Sequence, residues 1–151
     1  MASSWYPLLF TVIFVLDRLS KWWALAHCTE EVYVIPCLSY QVTLNHGVSW
    51  SLFAHNGFWV TQCVGVIVVT VTSVLAAYAW QRFCEGKKVI GETLILAGAI
   101  SNIADRLWYG GVIDFIILSF HGYAWPTFNV ADIAIVAGVV LMVYCDVSSK
   151  D

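Results

Sequence analysis

Four apolar stretches, separated by short polar segments, restrict the fold of this chain more than any other feature. They cover about residues 5–26, 58–80, 89–107 and 129–145. Each is close to the roughly 20 residues that a helix needs to cross the apolar core of a bilayer. The sequence therefore predicts an all-α membrane protein that forms a single domain over residues 1–151, with four transmembrane helices.

The two longer polar segments, residues 27–57 and 108–128, are predicted to be loops on the same side of the membrane. Two β-prone runs in the first loop, residues 33–35 and 40–44, are separated by Pro36 and predict a small strand-rich element outside the bilayer. In the second loop an apolar piece from about residue 112 to 120 fits either a short interfacial helix or a strand.

Positive charges predict the orientation of the helices. Arg82, Lys87 and Lys88 lie between the second and third stretches and Lys150 lies in the tail, whereas the 1–2 and 3–4 loops contain no Lys or Arg. The positive-inside rule then places both termini in the cytoplasm and the two long loops outside. The ends of spans 1 and 3 and the start of span 4 meet at the outer face.

Charged and amide side chains fall within or at the edges of the apolar stretches and in the outer loops. A charge inside a membrane span is costly unless it is paired or hydrated, so it marks a functional site by default. The clusters are residues 17–21, 45–47, 102–106, 114–115 and 129–132.

Asp17 and Lys21 are four residues apart on the first stretch, so they are predicted to share a helix face and to pair. Two interpretations of this pair stay open. It either stabilises its own helix only, or it braces a site or a neighbouring polar loop.

The third stretch repeats Gly98, Asn102 and Arg106 at every fourth residue, which gives one helix face of small and polar side chains. Such a face favours close helix packing, and its amide favours hydrogen bonds between helices. Arg106 could pair with Asp105, or it could hold an anionic headgroup or another carboxylate.

Asp114 and Asp132 are the candidate reacting groups. Asn129 and Asp132 also fit the N-cap and third position of a helix, which is a purely structural interpretation. Asp114, however, stands in an apolar run and needs a partner. If it faces Asp132, the two share one proton, which is the arrangement used in aspartic proteolysis. Asn45 could then bind the substrate or its oxyanion, or could simply be a turn residue before Gly47.

Other site classes find little support. There is no basic run, which argues against nucleic acid. The four His and five Cys lack metal-ligand spacing, so no metal site is predicted. Cys28 and Cys37 both lie on the outer side and could form a disulfide, but their spacing alone does not establish one.

Taken together, five segments resemble the motifs of the lipoprotein signal peptidase (signal peptidase II) family, in order and over nearly the whole chain. They are residues 17–21 for D-x-x-[ST]-K, 45–50 for N-x-G-x-[AS]-[FW], 98–106 for G-A-x-G-N-x-x-D-R, 112–115 for V-x-D-F and 128–132 for F-N-x-A-D. The chain departs from the family at Ser101, where Gly is usual, and at Ala97, where the family often has Gly before Gly98.

The resemblance implies an aspartyl endopeptidase of the bacterial inner membrane. Such an enzyme removes the signal peptide from a diacylglyceryl-modified prolipoprotein by cutting before the lipidated Cys. It needs no cofactor and is inhibited by the cyclic peptide globomycin. The implied fold adds an outer β-cradle and a short outer helix to the four spans. The implied catalytic residues are Asp114 and Asp132, with supporting or substrate-binding roles for Asp17, Lys21, Asn45, Gly98, Asn102, Arg106, Asn129 and Ala131.

A small membrane transporter or proton-conducting protein is the main alternative, because buried acids and bases also serve proton relays. It is disfavoured because the acids gather at one membrane face and because the sequence has no internal repeat. A structural membrane protein, in which the acid pair would have no role, is a third interpretation.

Overall fold

The computed structural model describes residues 5–47 and 58–148 and forms four long helices and one small antiparallel sheet. In chain order the elements are α1 (Tyr6–His27), β1 (Val32–Ile35), β2 (Leu38–Asn45), α2 (Phe58–Cys84), α3 (Ile90–Tyr109), β3 (Val112–Phe120), β4 (Tyr123–Ala124) and α4 (Val130–Ser148). The four predicted helices are therefore present, and each overlaps its predicted stretch.

Helix α3 is the centre of the bundle, since α1, α2 and α4 all pack against it. The tightest packing is with α4, where a Cβ atom added to Gly98 would fall on the carbonyl oxygen of Ala131. Only a residue without a side chain fits at this point, because the helix backbones touch there. The predicted close-packing role of Gly98 therefore fits the observed geometry.

Two helices are long and apolar enough to cross a membrane by themselves among the described residues, Gln62–Cys84 and Val130–Val147. Helices α1 and α3 each carry three charged side chains, which lowers their apolar character. Large apolar side chains of α2 and α4 point away from the bundle, and Val66 and Val140 are 66% and 62% exposed. Exposed apolar surface of this extent indicates contact with lipid.

The sheet has the order β1-β2-β3-β4, with β2 and β3 packed against α1 and β3 also packed against α3. The strand-rich element predicted for the first loop is confirmed as β1 and β2. Residues 112–120, for which the sequence leaves both helix and strand open, form strand β3. The short outer helix implied by the resemblance is not found in residues 5–47 or 58–148, and residues 48–57 lie outside the described part of the chain.

The pairing of β2 with β3 changes register between Tyr40 and Thr43, and the sheet is bound to the end of α1 at this irregularity. The amide of Val42 donates a hydrogen bond to the carbonyl of Cys28 at 2.8 Å instead of extending the ladder. Cys28 is buried against Phe115, and both Cys28 and Cys37 are free thiols, so the possible disulfide between them is not formed in this structure.

Candidate functional site

The polar clusters predicted from the sequence meet where the C-terminal halves of α1 and α3, the start of α4 and strands β2 and β3 come together. All ten predicted site residues lie in this region. They are Asp17, Lys21, Asn45, Gly98, Asn102, Arg106, Asp114, Asn129, Ala131 and Asp132.

Lys21 lies at the centre of this polar region and is completely buried. Its ammonium group lies 2.7 Å from Oδ2 of Asp17, 2.7 Å from Oδ2 of Asp105 and 2.8 Å from Oδ1 of Asn102. A lysine has three N–H donors, so every one of them has an acceptor. The predicted pair of Asp17 and Lys21 is present, and it extends to α3 instead of serving α1 alone.

Asp17 connects α1 to the first turn of α4. Its Oδ1 accepts a hydrogen bond from the backbone amide of Ala131 at 2.8 Å, and its Oδ2 accepts one from the Ser101 hydroxyl at 2.6 Å. The first amides of a helix have no partner within the helix, and a carboxylate is favoured beside them. Asp17 therefore fixes the start of α4, and Ser101 supplies a hydroxyl where the family usually has no side chain.

Asp105 connects α3 to the beginning of β3. Its Oδ1 accepts a hydrogen bond from the Arg18 guanidinium at 2.5 Å, and its Oδ2 accepts one from the backbone amide of Ile113 at 3.3 Å. Because Asp105 is taken by Arg18 and Lys21, the suggested ion pair between Asp105 and Arg106 does not form among the described residues.

Arg106 instead faces the open side of the site and is half-buried. Its Nη2 donates a long hydrogen bond of 3.4 Å to the carbonyl of Gly47. Its Nε and Nη1 are buried and have no hydrogen-bond partner in the described part of the chain. A guanidinium with two unused donors is suited to bind a carbonyl, phosphate or carboxylate group of a ligand.

Asn129 and Asp132 form a capping box at the start of α4. The side-chain oxygen of Asn129 accepts a hydrogen bond from the Asp132 amide at 2.9 Å, and Oδ2 of Asp132 accepts one from the Asn129 amide at 3.1 Å. Each residue thereby satisfies a free backbone donor of the other. The structural interpretation made from the sequence is thus correct, and it does not exclude a second role.

The side-chain amides of Asn129 and Asn102 each bind one of the two candidate carboxylates. The Asn129 side-chain amide donates to Oδ1 of Asp114 at 2.7 Å, and the Asn102 amide donates to Oδ1 of Asp132 at 2.9 Å. Asn129 further donates to Oδ1 of Asn102 at 3.3 Å. Two linked amides therefore hold Asp114 and Asp132 in a fixed relation to each other.

Asn45 supplies the last amide contact, because its Nδ2 donates to Oδ2 of Asp114 at 3.0 Å. Its Oδ1 accepts from the amide of Gly47 at 3.2 Å, so it is also the turn residue that the sequence indicates. Each carboxylate oxygen of Asp114 and Asp132 thus accepts one amide hydrogen bond and retains a lone pair for another partner.

Both carboxylates line a groove of about 980 Å³ that lies between α2 and α4. The α2 wall includes Val64 and Ile67, and the α4 wall includes Ile133 and Val136. The backbones of these two helices do not pack against each other in the described residues, so the groove is open between them. An elongated apolar ligand with a polar group at one end fits such a site.

Burial raises the pKa of the Asp114 carboxyl to about 7. The hydrogen bond from Asn45 lowers this pKa, the charge of Asp132 raises it, and the Asn129 hydrogen bond lowers it. A carboxyl group with a pKa near neutrality can both donate and accept a proton under ordinary conditions. The sharing of a single proton by Asp114 and Asp132 stays a prediction, which the raised pKa of Asp114 and the nearby charge of Asp132 favour.

Two features of the structure, one in the site and one far from it, are not identified from the sequence. Thr43 lies two residues before Asn45 on β2, its hydroxyl is 2.9 Å from that of Thr127, and it donates to the Asp114 carbonyl at 3.3 Å. The period of two along a strand, which places Thr43 and Asn45 on one face, is the signal that could have found it.

The second missed feature is an ion cluster at the opposite end of the bundle. Arg82 of α2 lies 2.9 Å from Glu92 of α3 through Nε and also forms an ion pair with Asp146 of α4. The sequence indicates Arg82 only as a positive charge of a loop. A loop arginine that follows a long apolar helix gives no signal of its partners, because they lie on other helices.

Comparison with known proteins places this geometry in context. A model of the family described as signal peptidase (SPase) II matches residues 9–147. A lipoprotein signal peptidase of Shewanella oneidensis is 32% identical over 143 residues, which cover 93% of this chain and 84% of that protein. One from Listeria monocytogenes is 34% identical over 143 residues, covering 91% of this chain and 90% of that protein.

Two solved structures share the fold. A bacterial membrane enzyme structure obtained by the in meso method at 2.3 Å resolution superimposes with a TM-score of 0.74 and 23% identity. The match covers 97% of this chain and 89% of that one. A second structure of a bacterial membrane enzyme, at 1.9 Å resolution, gives a TM-score of 0.73. The helices and the sheet are therefore arranged as in a known membrane enzyme.

Proposed function

The chain belongs to the signal peptidase II family, and we propose that it removes the signal peptide from prolipoproteins by an aspartyl mechanism. The cut falls before a Cys that already carries diacylglycerol. One observation carries this proposal: Asp114 and Asp132 line the same groove and are held there by the amides of Asn45, Asn102 and Asn129.

The proposed reaction uses the two carboxyl groups as acid and base. The ionised carboxylate takes a proton from a water molecule, and the water oxygen attacks the carbonyl carbon of the scissile peptide bond. The protonated carboxyl gives its proton to the carbonyl oxygen. The intermediate then collapses as one of its two hydroxyl groups returns a proton to the carboxylate that had protonated the carbonyl oxygen. The C–N bond breaks, and the leaving amine receives the proton that the other carboxyl had taken from water.

The assignment of roles within the pair follows from the surroundings of each carboxyl group. Asp132 lies in the first turn of α4, where the helix dipole favours an anion. The pKa of Asp114 is raised to about 7, mainly by burial, which favours the protonated form at neutral pH. Asp114 is therefore the proposed acid and Asp132 the proposed base, although the pair titrates as a unit.

The remaining polar groups have supporting roles in this proposal. Arg106 has two unused donors at the groove and binds substrate carbonyl groups. Lys21, Asp17 and Ala131 hold the start of α4 in place, and Gly98 allows α4 to approach α3. The proposed site uses only these protein groups and water, so it requires no metal or cofactor.

The groove between α2 and α4 is the proposed binding site for the apolar part of the signal peptide. Its walls are aliphatic at Ile67 and Val136, and it ends at the two carboxylates. Lipid and the diacylglyceryl chains meet the exposed apolar sides of the same helices. Globomycin, a cyclic peptide, is expected to occupy this groove and to compete with the substrate.

We further propose that all four helices span the inner membrane of a bacterium, with both termini in the cytoplasm. The buried charges of α1 and α3 are paired, which removes most of the cost of placing them in a span. Arg82, Lys87 and Lys88 are at the end opposite to Asp114 and Asp132. The active site then lies near the extracytoplasmic face.

Cleavage of a purified prolipoprotein tests the proposal. The enzyme in detergent or lipid is given a diacylglyceryl-modified prolipoprotein, and the released signal peptide is measured for wild type, Asp114→Asn and Asp132→Asn. We expect each variant to lose cleavage by about 10²- to 10⁴-fold or more, because each removes an acid-base group. Glu85→Gln, which changes an exposed carboxylate in the loop after α2, is the matched control and keeps full activity.

The outcomes separate the alternatives. If wild type cleaves and both folded variants do not, the aspartyl mechanism is supported. If only one variant loses activity, the two-carboxylate mechanism is wrong while the peptidase function stands. If wild type neither cleaves nor binds globomycin, proton flux in liposomes becomes the next measurement, because a proton-conducting protein would use the same buried acids.

A further inference from the structure

Helix α2 is held to the rest of the protein near its cytoplasmic end. Among its described side chains, only Ala79 and Arg82 are buried, and the Phe83 ring lies edge-on to Tyr6 of α1 at 6.1 Å. Farther toward the outer side, Ile67 and Val71 are each 61% exposed. The outer half of α2 thus forms a wall of the groove with little support of its own.

Arg82 is the residue that fixes the supported end. Its Nε lies 2.9 Å from Oε1 of Glu92, which is 1% exposed on α3. Its Nη1 donates to Asp146 of α4 and to the hydroxyl of Tyr78 at 3.0 Å. One guanidinium therefore joins α2 to both helices that carry the predicted site residues Asn102 and Asp132.

The two helices on the other side of this junction form a fixed frame. A Cβ atom added to Gly91 of α3 would lie 2.6 Å from the carbonyl oxygen of Gly138, and one added to Gly138 would lie 2.6 Å from that of Gly91. Backbones that touch in this way have no freedom to separate without losing their packing. Any change in the width of the groove must therefore come from α2.

We infer that Arg82, through Glu92 and Asp146, is a positioning residue that sets the angle of α2 and so determines which side chains the groove accepts. The inference rests on the proposed function, because it assigns the groove to the apolar segment of a signal peptide. Arg82 acts from the far end of α2 and touches neither the substrate nor the reacting carboxylates.

The expected signature is a change of substrate selectivity without a change in the chemical step. With α2 fixed, the groove has one width and discriminates between signal peptides with small and with bulky aliphatic side chains next to the cleavage site. Discrimination by a few methylene groups in an apolar pocket amounts to roughly tenfold or more. With α2 released, the selectivity ratio falls toward one.

The test compares two matched prolipoproteins, one with Ala and one with Leu at the positions that enter the groove. Steady-state kcat and KM are measured for wild type and for Arg82→Met/Glu92→Leu. The double substitution is used because Arg82→Met alone leaves the Glu92 carboxylate buried without a counterion, which can prevent folding. We expect the ratio of the two KM values to change severalfold while kcat stays within about twofold of wild type.

Lys87→Gln is the matched control, since it breaks an exposed ion pair with Glu85 in the loop after α2. It should leave both constants unchanged. A second readout does not depend on turnover: spin labels introduced as unnatural amino acids at Val66 and Ile133, both exposed, report the distance between α2 and α4. The distance distribution should broaden in the double variant and not in the control.

Two results would overturn the inference. One is an unchanged KM ratio together with an unchanged distance distribution in a folded double variant. The other is an equal loss of kcat for both substrates, which a general loss of structure would produce. Failure of the proposed function looks different, because wild type would then cleave neither prolipoprotein while the distance measurement would still report the position of α2.

Discussion

Two pairs of aspartates lie within the same polar region, and they differ in their partners. Asp17 and Asp105 are completely buried, Asp114 is only 2% exposed, and Asp132 is partly exposed. Asp17 and Asp105 both contact the ammonium of Lys21 at 2.7 Å, and Asp105 also contacts Arg18. Asp114 and Asp132 receive hydrogen bonds from amides and have no ion pair among the described residues.

The difference shows that one fold can hold buried acids in two ways, because cations bind one pair and only amide groups bind the other. The oxygens of Asp17 and Asp105 are occupied by cationic groups, backbone amides and a hydroxyl, so these two residues, the structural pair, link elements of the fold. Asp114 has amide donors alone, and burial raises its pKa to about 7, so it can hold a proton near neutral pH. The structural pair fixes the start of α4 through Asp17 and the start of β3 through Asp105, which places the second pair.

Breaking the structural pair should have the largest effect. In Lys21→Met, Asp17 and Asp105 lose their shared ammonium while they remain buried. Removing one partner of a buried ion pair costs about 3–5 kcal/mol. We expect the free energy of unfolding in detergent to fall by about this amount, with loss of cleavage as a consequence.

Lys87→Met provides the control for that experiment, because the ion pair of Lys87 with Glu85 is exposed. Exposed pairs contribute about 0–1 kcal/mol, so the control should unfold like wild type. Equal stability of Lys21→Met and wild type would mean that the buried ion pairs around Lys21 do not support the fold.

Removing one amide that binds the pair Asp114 and Asp132 should have an intermediate effect. Asn45→Ala removes the hydrogen bond that Asn45 donates to Asp114, and this bond lowers the pKa of Asp114. Without it the pKa rises above about 7, so the protonated carboxyl persists to higher pH. The alkaline limb of the kcat/KM profile should therefore move to higher pH, with a loss of about tenfold to a hundredfold at the optimum.

Gln41→Ala changes the other side-chain amide of β2 and serves as the control for Asn45→Ala. It should leave the pH profile in place. A shift of the Asn45→Ala limb to lower pH would contradict the expected direction and would mean that Asn45 stabilises the protonated form of Asp114.

The smallest effect is expected at the hydroxyl that contacts the structural pair. Ser101→Ala removes the 2.6 Å hydrogen bond to Asp17, which retains Lys21 and the Ala131 amide. Loss of one such bond costs about 1 kcal/mol. Thermal unfolding of Ser101→Ala should show this loss, whereas Ser73→Ala, whose exposed hydroxyl bonds only to Val69 of its own helix, should not.

Much of the helical framework can be predicted from the sequence because apolar length alone determines it. The sequence predicts the third helix at 89–107, and it is observed at Ile90–Tyr109. The second is predicted to end at residue 80 and continues to Cys84. It continues because Arg82 finds Glu92 and Asp146 on neighbouring helices, and a charge with such partners need not end a helix.

Strand β3 is harder to predict for a physical reason. Residues 112–115 are buried on both faces of the strand, so the sequence shows a continuous apolar run instead of alternation. Such a run does not distinguish a buried strand from a buried helix segment. Its assignment as a strand depends on pairing with β2, which is remote in the sequence.

The sequence identifies the site residues by their type and motif. It does not identify which of these residues share a hydrogen-bond or ion-pair partner. The sequence indicates Asp17 with Lys21 because they are four residues apart, whereas the contact of Lys21 with Asp105 joins residues on different helices. Likewise, the cap at Asn129 is predictable from local spacing, and its bond to Asp114 is not. Contacts between residues that are close in the sequence can be predicted from their spacing. Contacts between residues on different helices and strands depend on how these elements pack.

The open side of the groove has a consequence for how this protein meets its substrate. Because the backbones of α2 and α4 do not pack against each other in the described residues, the proposed function implies that a prolipoprotein among lipids enters beside the groove without passing through water. Encounter is then a two-dimensional process, governed by lateral diffusion and by the number of substrate molecules per unit of membrane area. The quantity that saturates the protein is a mole fraction in the bilayer, and extra lipid dilutes the substrate even when its amount per volume is unchanged.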